Sequence, residues 1–296
     1  MSLLHRAKPK SPEPVRSGPE PFDPEAALRA IRKRTPITPR TGLILGSGLG
    51  VVADGVAWDA GIPTTEIPGL PRPTVVGHPG RVLIGRWSGR PVAVAQGRSH
   101  LYEGHSAEQT TRMVRLFAAL GVKSLVLTNA AGGITPRMLP GTLMLVEDQV
   151  NLQWRSPLRV PLDMEPPVAL PPGPRGLSTR AGYSEEMMAK AARAAVVAGV
   201  RLERGVLGVA LGPCYETTAE IAMLERMGAD AVCMSTGAEA AMAASLGIPA
   251  VAISCVTNWA TGRSRARLSH AEVTAAVSAA AAPMKSMLER LILALA

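Results

Sequence analysis

The chain has 296 residues, of which 47% are hydrophobic, and it carries a formal net charge of +9. This length can bury a sizeable core, as one large α/β domain or as two small ones. No run of 18 uncharged apolar residues occurs, and no apolar segment follows the first basic residues, which excludes a membrane span and a signal peptide and predicts a soluble, cytoplasmic protein.

The positive charge is unevenly distributed along the chain. Residues 1–40 contain nine Lys or Arg and four Asp or Glu, so +5 of the net +9 lies there. We expect residues 1–22 to form a disordered, basic, proline-rich tail and residues 23–296 to form the folded domain. A basic tail attracts polyanions, but three Tyr and two Phe in the whole chain leave little surface for stacking bases. The sequence therefore does not favour a nucleic-acid partner.

Strands and helices alternate along the folded part. Asp23 followed by Pro24 marks the start of a helix that runs to about Arg34. Repeated strand, glycine-rich loop and helix units predict an α/β sheet whose site lies where the strands end. The further predicted elements are a strand over 41–45, short strands between 74 and 96, a helix over 107–120, a strand over 123–127, a small-residue loop over 128–133, an irregular loop with seven prolines over 155–180, a helix from 184 to about 197, a strand over 205–211, a helix over 217–227, a strand over 231–234, a helix over 238–246, a strand over 250–256, and a C-terminal helix from about 269 that Pro283 should kink or divide.

The cysteines and histidines do not suggest a metal. Cys214, Cys233 and Cys255 lie in or beside predicted strands or turns and lack C-x-x-C spacing, so we expect free, buried thiols. His100 and His105 are five residues apart, a spacing that fits neither face of a helix well.

A glycine run, residues 46–50, follows the first predicted strand directly. Glycines there let the backbone approach an anion closely, and the N–H groups together with the Ser47 hydroxyl could hold phosphate. Val51 stands where a dinucleotide fingerprint needs a small residue, which disfavours a dinucleotide-dependent enzyme. The run favours a small inorganic anion, with a plain tight turn as the alternative.

Two further stretches carry candidate chemistry. Arg98 and His100 would alternate on one side of an extended segment and offer a guanidinium fork and an imidazole to the same anion; an exposed polar loop is the alternative. Glu216, beside Tyr215, lies on a predicted strand-to-helix turn, where Thr217 or Thr218 with Glu220 would cap the helix. Capping leaves Glu216 unexplained. Its carboxylate either accepts ring N–H groups of a heterocycle or is simply solvated.

Six motifs together resemble the trimeric purine nucleoside phosphorylase family, a group that includes the methylthioadenosine phosphorylases. They occur in the family's order, at residues 46–50, 97–104, 128–133, 212–217, 228–236 and 256–258. The resemblance implies a single-domain, three-layer α/β/α fold around a mixed sheet. It also implies a homotrimer that cleaves purine nucleosides with inorganic phosphate, giving free purine and pentose 1-phosphate, with no other cofactor and no metal.

The resemblance also implies a role for each matching residue. Glu216, Asn258 and His100 would be catalytic, and Asn258 favours inosine and guanosine because methylthioadenosine phosphorylases carry an Asp there. A phosphorylase for 5′-methylthioinosine or methylthioadenosine is the closest alternative, against which His270 argues. The implied binding residues are Ser47, His78, Arg98, His100, Ala130 through its N–H, and Ser235 for phosphate, with His78 on a mobile lid; Tyr102, Met234 and His270 for ribose; and Tyr215, Glu216 and Asn258 for the base.

The chain departs from the family pattern at two places. Around residues 156–162 the family's usual sequence is altered and the phenylalanine that reaches a neighbouring subunit's ribose is missing, so Met164 or another loop residue would substitute for it. Gly237 and Ala238 stand where Val-Pro is common, and we expect this change to affect packing.

Overall fold

A computed structural model describes residues 22–54, 56–75, 77–158, 182–264 and 270–295, without the side chains of residues 270–274. Several predictions made from the sequence lie outside these residues. They are the disorder of the tail before Phe22, the conformation of most of the proline-rich segment, the part of Met164, and the side chain of His270.

The described residues form nine strands and seven α-helices. The strands are β1 Thr41–Leu45, β2 Trp58–Pro63, β3 Arg81–Trp87, β4 Arg90–Gln96, β5 Ser124–Gly133, β6 Leu143–Asn151, β7 Leu202–Val209, β8 Ala231–Cys233 and β9 Ala250–Trp259. The helices are α1 Pro24–Arg32, α2 Ala107–Thr110, α3 Arg112–Leu120, α4 Glu185–Ala198, α5 Thr218–Arg226, α6 Gly237–Ser245 and α7 His270–Ala294.

Capping residues mark the ends of several helices. The Asp23 carboxylate accepts hydrogen bonds from the first backbone N–H groups of α1. Ser106 and Ser184 cap α2 and α4 through their hydroxyl groups. Gly121 ends α3 with a φ of 95°, a left-handed conformation that glycine adopts without strain. Short polar side chains and glycine thus set the boundaries that packing alone would leave open.

The elements differ from the predicted ones in four respects. Residues 128–133 are the second half of strand β5 and not a loop. The helix predicted over 107–120 breaks at Thr111, whose φ of −102° and ψ of 2° separate α2 from α3. Strands β2 and β6 were not predicted. Pro283 lies inside α7, which runs on as one helix and is not divided.

The strands form one mixed sheet in the order β2-β3-β4-β1-β5-β8-β7-β6-β9, and β9 also pairs with β5. Because of this extra pairing, β5, β8, β7, β6 and β9 close into a ring, while β2, β3 and β4 extend the sheet beyond β1. Every residue of β1 is buried between its neighbours β4 and β5, and Phe117 of α3 packs on Gly42. The predicted single-domain α/β fold with a mixed sheet is confirmed.

Helices pack on this sheet and fix its loops. α7 packs on β9 and on α4, and α6 packs on β9 and α3. Within the described part of the chain, no helix is both long and apolar enough to cross a membrane. The loops after β1, β4, β7 and β8 converge with the last residues of β5 and β9, and these segments build the cavity described next.

Candidate active site

A cavity of about 240 Å³ lies where these strands end. Of the twelve residues predicted to form the site, ten line this cavity. His78 lies behind the wall, and the side chain of His270 is outside the described residues. The ten are Ser47, Arg98, His100, Tyr102, Ala130, Tyr215, Glu216, Met234, Ser235 and Asn258.

Arg98 is a buried cation of the cavity wall, with a side chain that is 3% exposed. Its Nε donates to Glu239 Oε1 at 3.0 Å. One terminal nitrogen donates to the carbonyl of Thr128 at 2.6 Å and to Ser235 Oγ at 3.4 Å, and the other to the carbonyl of Ile44 at 3.4 Å. A guanidinium has five N–H donors, so at least one remains for an anion in the cavity. The group is therefore both fixed in direction and able to bind.

His78 acts on the cavity through Ser47. The backbone N–H of Arg98 donates to His78 Nδ1 at 2.8 Å, so the proton of the neutral ring lies on Nε2. Nε2 then donates to Ser47 Oγ at 2.7 Å. Burial, reinforced by the nearby His100 and Arg98, lowers the pKa of His78 to about 3 and keeps the ring neutral. Because Ser47 accepts from His78, its own hydroxyl hydrogen is free to point at an anion.

The close packing of His78 explains one glycine of the motif. Gly97 has a φ of +101°, and a Cβ at this position would lie 2.6 Å from the Cβ of His78. Only glycine accommodates both the left-handed conformation and the approach of the imidazole.

His100 is held by Glu103. Its Nδ1 lies 2.8 Å from Glu103 Oε1, and its ring stacks on Tyr102 with centroids 4.7 Å apart. Burial lowers the pKa of His100 by more than the hydrogen bond to Glu103 raises it. In the neutral ring Nδ1–H donates to the carboxylate and Nε2 carries a lone pair.

Glu103 also anchors the loop that contains His78. Its carboxylate accepts hydrogen bonds from the N–H and the hydroxyl of Thr74, at 2.6 and 2.7 Å, and from the N–H of His100 at 2.6 Å. Burial raises the pKa of Glu103, but these hydrogen bonds outweigh it and lower the pKa to about 2. The ionised carboxylate therefore fixes His100 and the preceding loop at once.

Replacing Glu103 with glutamine is expected to lower the Tm at pH 7 by about 5 °C. The folded pKa of Glu103 lies below the ordinary value of 4.5, so ionised Glu103 stabilises the fold above pH 4.5, and this contribution is lost as the pH falls towards 2. The Tm difference between wild type and E103Q should shrink between pH 5 and pH 3 in calorimetry. Glu66→Gln, which breaks an exposed ion pair with Arg34, is the control and should change Tm by less than 1 °C. A Tm difference that does not vary with pH would contradict the assignment.

A strained turn places Ser235 at the cavity. Thr236 has a φ of 77° and a ψ of −45°, which is rare for a β-branched residue, and the N–H of Gly237 donates to the Ser235 carbonyl at 2.9 Å to form a γ-turn. The Asn129 amide donates to the Thr236 hydroxyl at 3.0 Å and holds the turn. Ser235 thus lies just before the N-terminus of α6, where the helix dipole favours an anion.

Glu216 and Asn258 form another part of the cavity wall. Thr217 and Glu220 make the capping box of α5, so the predicted cap is confirmed and does not use Glu216. Glu216 Oε1 is buried and has no hydrogen-bond partner among the described residues. Burial raises the pKa of Glu216, and this effect exceeds the opposing one of its own backbone N–H. A buried carboxylate oxygen without a donor is unfavourable unless a ligand supplies one.

The Asn258 amide is partly engaged. Its Oδ1 accepts from the Thr257 hydroxyl at 2.8 Å, and its Nδ2 donates to the Trp259 carbonyl at 2.9 Å. An amide oxygen has two lone pairs and an amide nitrogen two hydrogens, so one acceptor and one donor remain for a ligand.

Gly212 and Gly237 leave space for neighbouring side chains: Gly212 for two that line the cavity, and Gly237 for one that lies behind it. A Cβ on Gly212 would lie 2.5 Å from the sulfur of Met234 and 2.8 Å from Tyr102. A Cβ on Gly237 would lie 3.1 Å from the amide of Gln149, which accepts the Tyr183 hydroxyl at 2.7 Å. A side chain at position 237 would therefore require Gln149 to shift by a few tenths of an ångström, and the expected effect of this departure on packing stays a prediction.

Two supporting residues, Glu103 and Glu239, received no role in the sequence analysis. Glu103 could have been found, because it lies three residues after His100 and the two side chains form a capping arrangement. Glu239 is 141 positions from its partner Arg98, and no local pattern reveals that contact. The expectation of buried cysteines holds for Cys233 and Cys255, whereas Cys214 is exposed. Among the described residues no group of three or more His, Cys, Asp and Glu could hold a metal ion.

Comparison with known proteins defines the class. Residues 40–293 match the family model described as the phosphorylase superfamily. The chain is 39% identical to purine nucleoside phosphorylase 1 of Geobacillus stearothermophilus over 84% of this chain and 89% of that protein. It is 36% identical to the purine nucleoside phosphorylase of Rattus norvegicus over 85% of this chain and 87% of that protein.

Solved structures agree with these relatives. The Schistosoma mansoni purine nucleoside phosphorylase in complex with inosine is 36% identical, with a TM-score of 0.78 over 90% of this chain and 94% of that one. Its complex with adenosine gives a TM-score of 0.77 at 36% identity, over 90% of this chain and 95% of that one. The chain belongs to the purine nucleoside phosphorylase family.

Proposed function

We propose that this protein is a purine nucleoside phosphorylase that converts inosine and guanosine, and their deoxy forms, with phosphate into free purine and pentose 1-phosphate. The observation that carries the proposal is one cavity lined both by Glu216, whose carboxylate oxygen Oε1 has no hydrogen-bond partner among the described residues, and by the fixed guanidinium of Arg98. A carboxylate suits a heterocyclic N–H donor and a guanidinium suits phosphate.

The proposed reaction separates charge in two directions. Cleavage of the bond between sugar and base develops positive charge on the sugar and negative charge on the leaving purine. The site must therefore hold an anion beneath the sugar and neutralise the base. Phosphate supplies both the nucleophile and the stabilising charge, and its fixed position replaces a bimolecular encounter.

Phosphate binds among Ser47, Arg98, His100, Ser235 and the N–H of Ala130. Ser47 donates its hydroxyl, whose hydrogen is free because His78 donates to its oxygen. His100 gives Nδ1–H to Glu103, so neutral His100 accepts through Nε2 from a protonated phosphate oxygen. In this proposal His78 serves phosphate through Ser47 and not by direct contact.

The purine binds between Glu216 and Asn258, beside Tyr215. Glu216 accepts N1–H, and Asn258 donates to O6 and accepts from N7–H as the base leaves. These hydrogen bonds strengthen as negative charge develops on the purine, which lowers the barrier to cleavage. Adenine has no proton on N1 for the carboxylate, so the arrangement selects 6-oxopurines.

Ribose lies between the two ends, against Tyr102 and Met234, with His270 assigned to the 5′-hydroxyl. Among the compared proteins, the names of the relatives favour a nucleoside phosphorylase over a methylthioadenosine phosphorylase. Inorganic phosphate is a co-substrate, and the proposed chemistry needs no other cofactor and no metal.

We assign the enzyme to homotrimers in the cytoplasm. The resemblance to a trimeric family supports the assembly, and free thiols suit a reducing compartment. Light scattering that gives three times the chain mass of 30.9 kDa supports the trimer, and the monomer mass contradicts it. No membrane or nucleic-acid partner is part of the proposal.

Purine release from inosine, guanosine, adenosine and methylthioadenosine, each with and without phosphate, tests the function. We expect phosphate-dependent release from inosine and guanosine and at least 100-fold lower kcat/KM with the two adenine nucleosides. Activity mainly on methylthioadenosine would overturn the 5′ and base assignments. No activity on any of them would overturn the proposed function.

A further inference from the structure

Glu239 lies behind the phosphate end of the cavity and not in it. Its side chain is 4% exposed and comes from α6, while Arg98 follows β4. Glu239 Oε1 accepts from Arg98 Nε at 3.0 Å, and Glu239 Oε2 has no hydrogen-bond partner in the described part of the chain. Among the described residues the carboxylate therefore hydrogen-bonds to one group alone, the guanidinium.

The hydrogen bond from Nε determines which donors of Arg98 remain for a ligand. The carbonyls of Ile44 and Thr128 accept hydrogen bonds from the two terminal nitrogens, and Glu239 accepts one from Nε. Three anchors on three different segments fix the plane of a planar group. Without Glu239, the guanidinium could turn about its stem and give its remaining N–H groups a different direction.

The ion pair of Arg98 and Glu239 also limits how much net positive charge contributes to the binding of an anion in this cavity. Arg98 and Glu239 are both almost completely buried, so the guanidinium charge is compensated before any anion enters. An incoming phosphate therefore gains little from the net charge of the pair and much from donors that already point at it. The direction of the guanidinium N–H groups, which Glu239 sets, therefore determines how well phosphate is bound.

We propose that Glu239 is a positioning residue that orients the Arg98 guanidinium for phosphate. The inference rests on the proposed function and deepens it. Glu239 touches neither phosphate nor nucleoside and acts only through Arg98. The Glu239 oxygen at hydrogen-bond distance from Arg98 Nε is what orients the guanidinium, and the negative charge of Glu239 is not required for this.

Two substitutions separate position from charge. Glu239→Gln keeps an oxygen for Arg98 Nε and removes the charge. Glu239→Asp keeps the charge but withdraws the carboxylate by about 1.5 Å, the length of one C–C bond. We expect the KM for phosphate to rise about tenfold or more in E239D and to stay within about threefold of wild type in E239Q, with the KM for inosine within about twofold in both.

Asp230 provides the matched control. It is a carboxylate that is 9% exposed, is ion-paired with Arg137 at 2.8 Å, and does not line the cavity. Asp230→Asn should lower Tm but leave both KM values within about twofold, which separates loss of stability from loss of positioning.

Steady-state kinetics with phosphate varied at saturating inosine, and inosine varied at saturating phosphate, decide the matter. A normal KM for phosphate in E239D, a larger loss in E239Q than in E239D, or equal changes in both KM values would overturn the inference while wild-type phosphorolysis stands. Absence of phosphorolysis in the wild type would instead overturn the proposed function. If E239D does not fold, Glu239→Ala takes its place: it removes the oxygen that accepts from Arg98 Nε and should raise the KM for phosphate about tenfold or more. A KM for phosphate within about threefold of wild type in E239A, or a loss of about tenfold in E239Q, contradicts the inference.

Discussion

Replacing Glu216 with alanine is expected to lower kcat/KM for inosine by about 10²- to 10³-fold. In the proposed complex the carboxylate accepts N1–H of the purine, and this hydrogen bond strengthens as the base takes up negative charge. The residue is free for this role because the cap of α5 uses Thr217 and Glu220. Steady-state kinetics with inosine and guanosine measure the effect, and near-wild-type values in E216A would refute the base assignment.

Glu216→Gln refines this test. The amide oxygen can still accept N1–H, but it lacks the charge that makes the hydrogen bond roughly twice as strong, so a loss of only about tenfold is expected. E216A should also raise Tm or leave it unchanged, because it removes a buried oxygen that has no hydrogen-bond partner in the described structure. A large drop in Tm would indicate that Glu216 serves the fold and not a ligand.

Local patterns in the sequence predicted the parts of the site that depend on short-range geometry. The turn that carries Glu216 follows from an apolar run, a Thr at the N-cap and an amphipathic helix, and all three are present. The turn after β1 follows in the same way from its glycines. These features depend on only a few neighbouring residues, so the local sequence is enough to predict them.

Residues 128–133 show where local interpretation fails. Small residues suggested a loop, whereas they continue strand β5 between β8 and β9. A Cβ on Gly133 would lie 1.9 Å from the Met138 carbonyl oxygen, so the glycine is needed because another backbone segment passes close by. The sequence shows the same residue, glycine, at a turn and at a place where two backbone segments pass close together. Only the tertiary structure distinguishes these two situations.

The closing of the sheet and the support of Arg98 are likewise non-local. β9 pairs with both β5 and β6, and this pairing closes the ring. The sequence of a single strand does not indicate which strands it pairs with. Glu239 follows two positions where the family pattern is altered, so the sequence drew attention to that segment without revealing the ion pair. Contacts of this kind depend on the whole fold.

Replacing Arg98 with methionine is expected to lower kcat/KM by about 10³-fold and Tm by about 10 °C. Activity falls because phosphate loses the guanidinium. Stability falls because the Glu239 carboxylate, 4% exposed, would remain in the core without its cation. Breaking a buried ion pair from one side typically costs about 3–5 kcal/mol. Calorimetry and phosphate kinetics measure the two losses separately.

The double variant Arg98→Met, Glu239→Met tests whether the two losses have different origins. Removing both charges takes away the uncompensated carboxylate, and methionine fills irregular core space and suits the helix at position 239. Tm should return to within about 3 °C of wild type while phosphorolysis stays as low as in R98M. Recovery of stability without recovery of activity would mean that the fold tolerates an apolar pair here and that phosphate requires the guanidinium. A double variant as unstable as R98M would show instead that the unpaired carboxylate is not what destabilises the single variant.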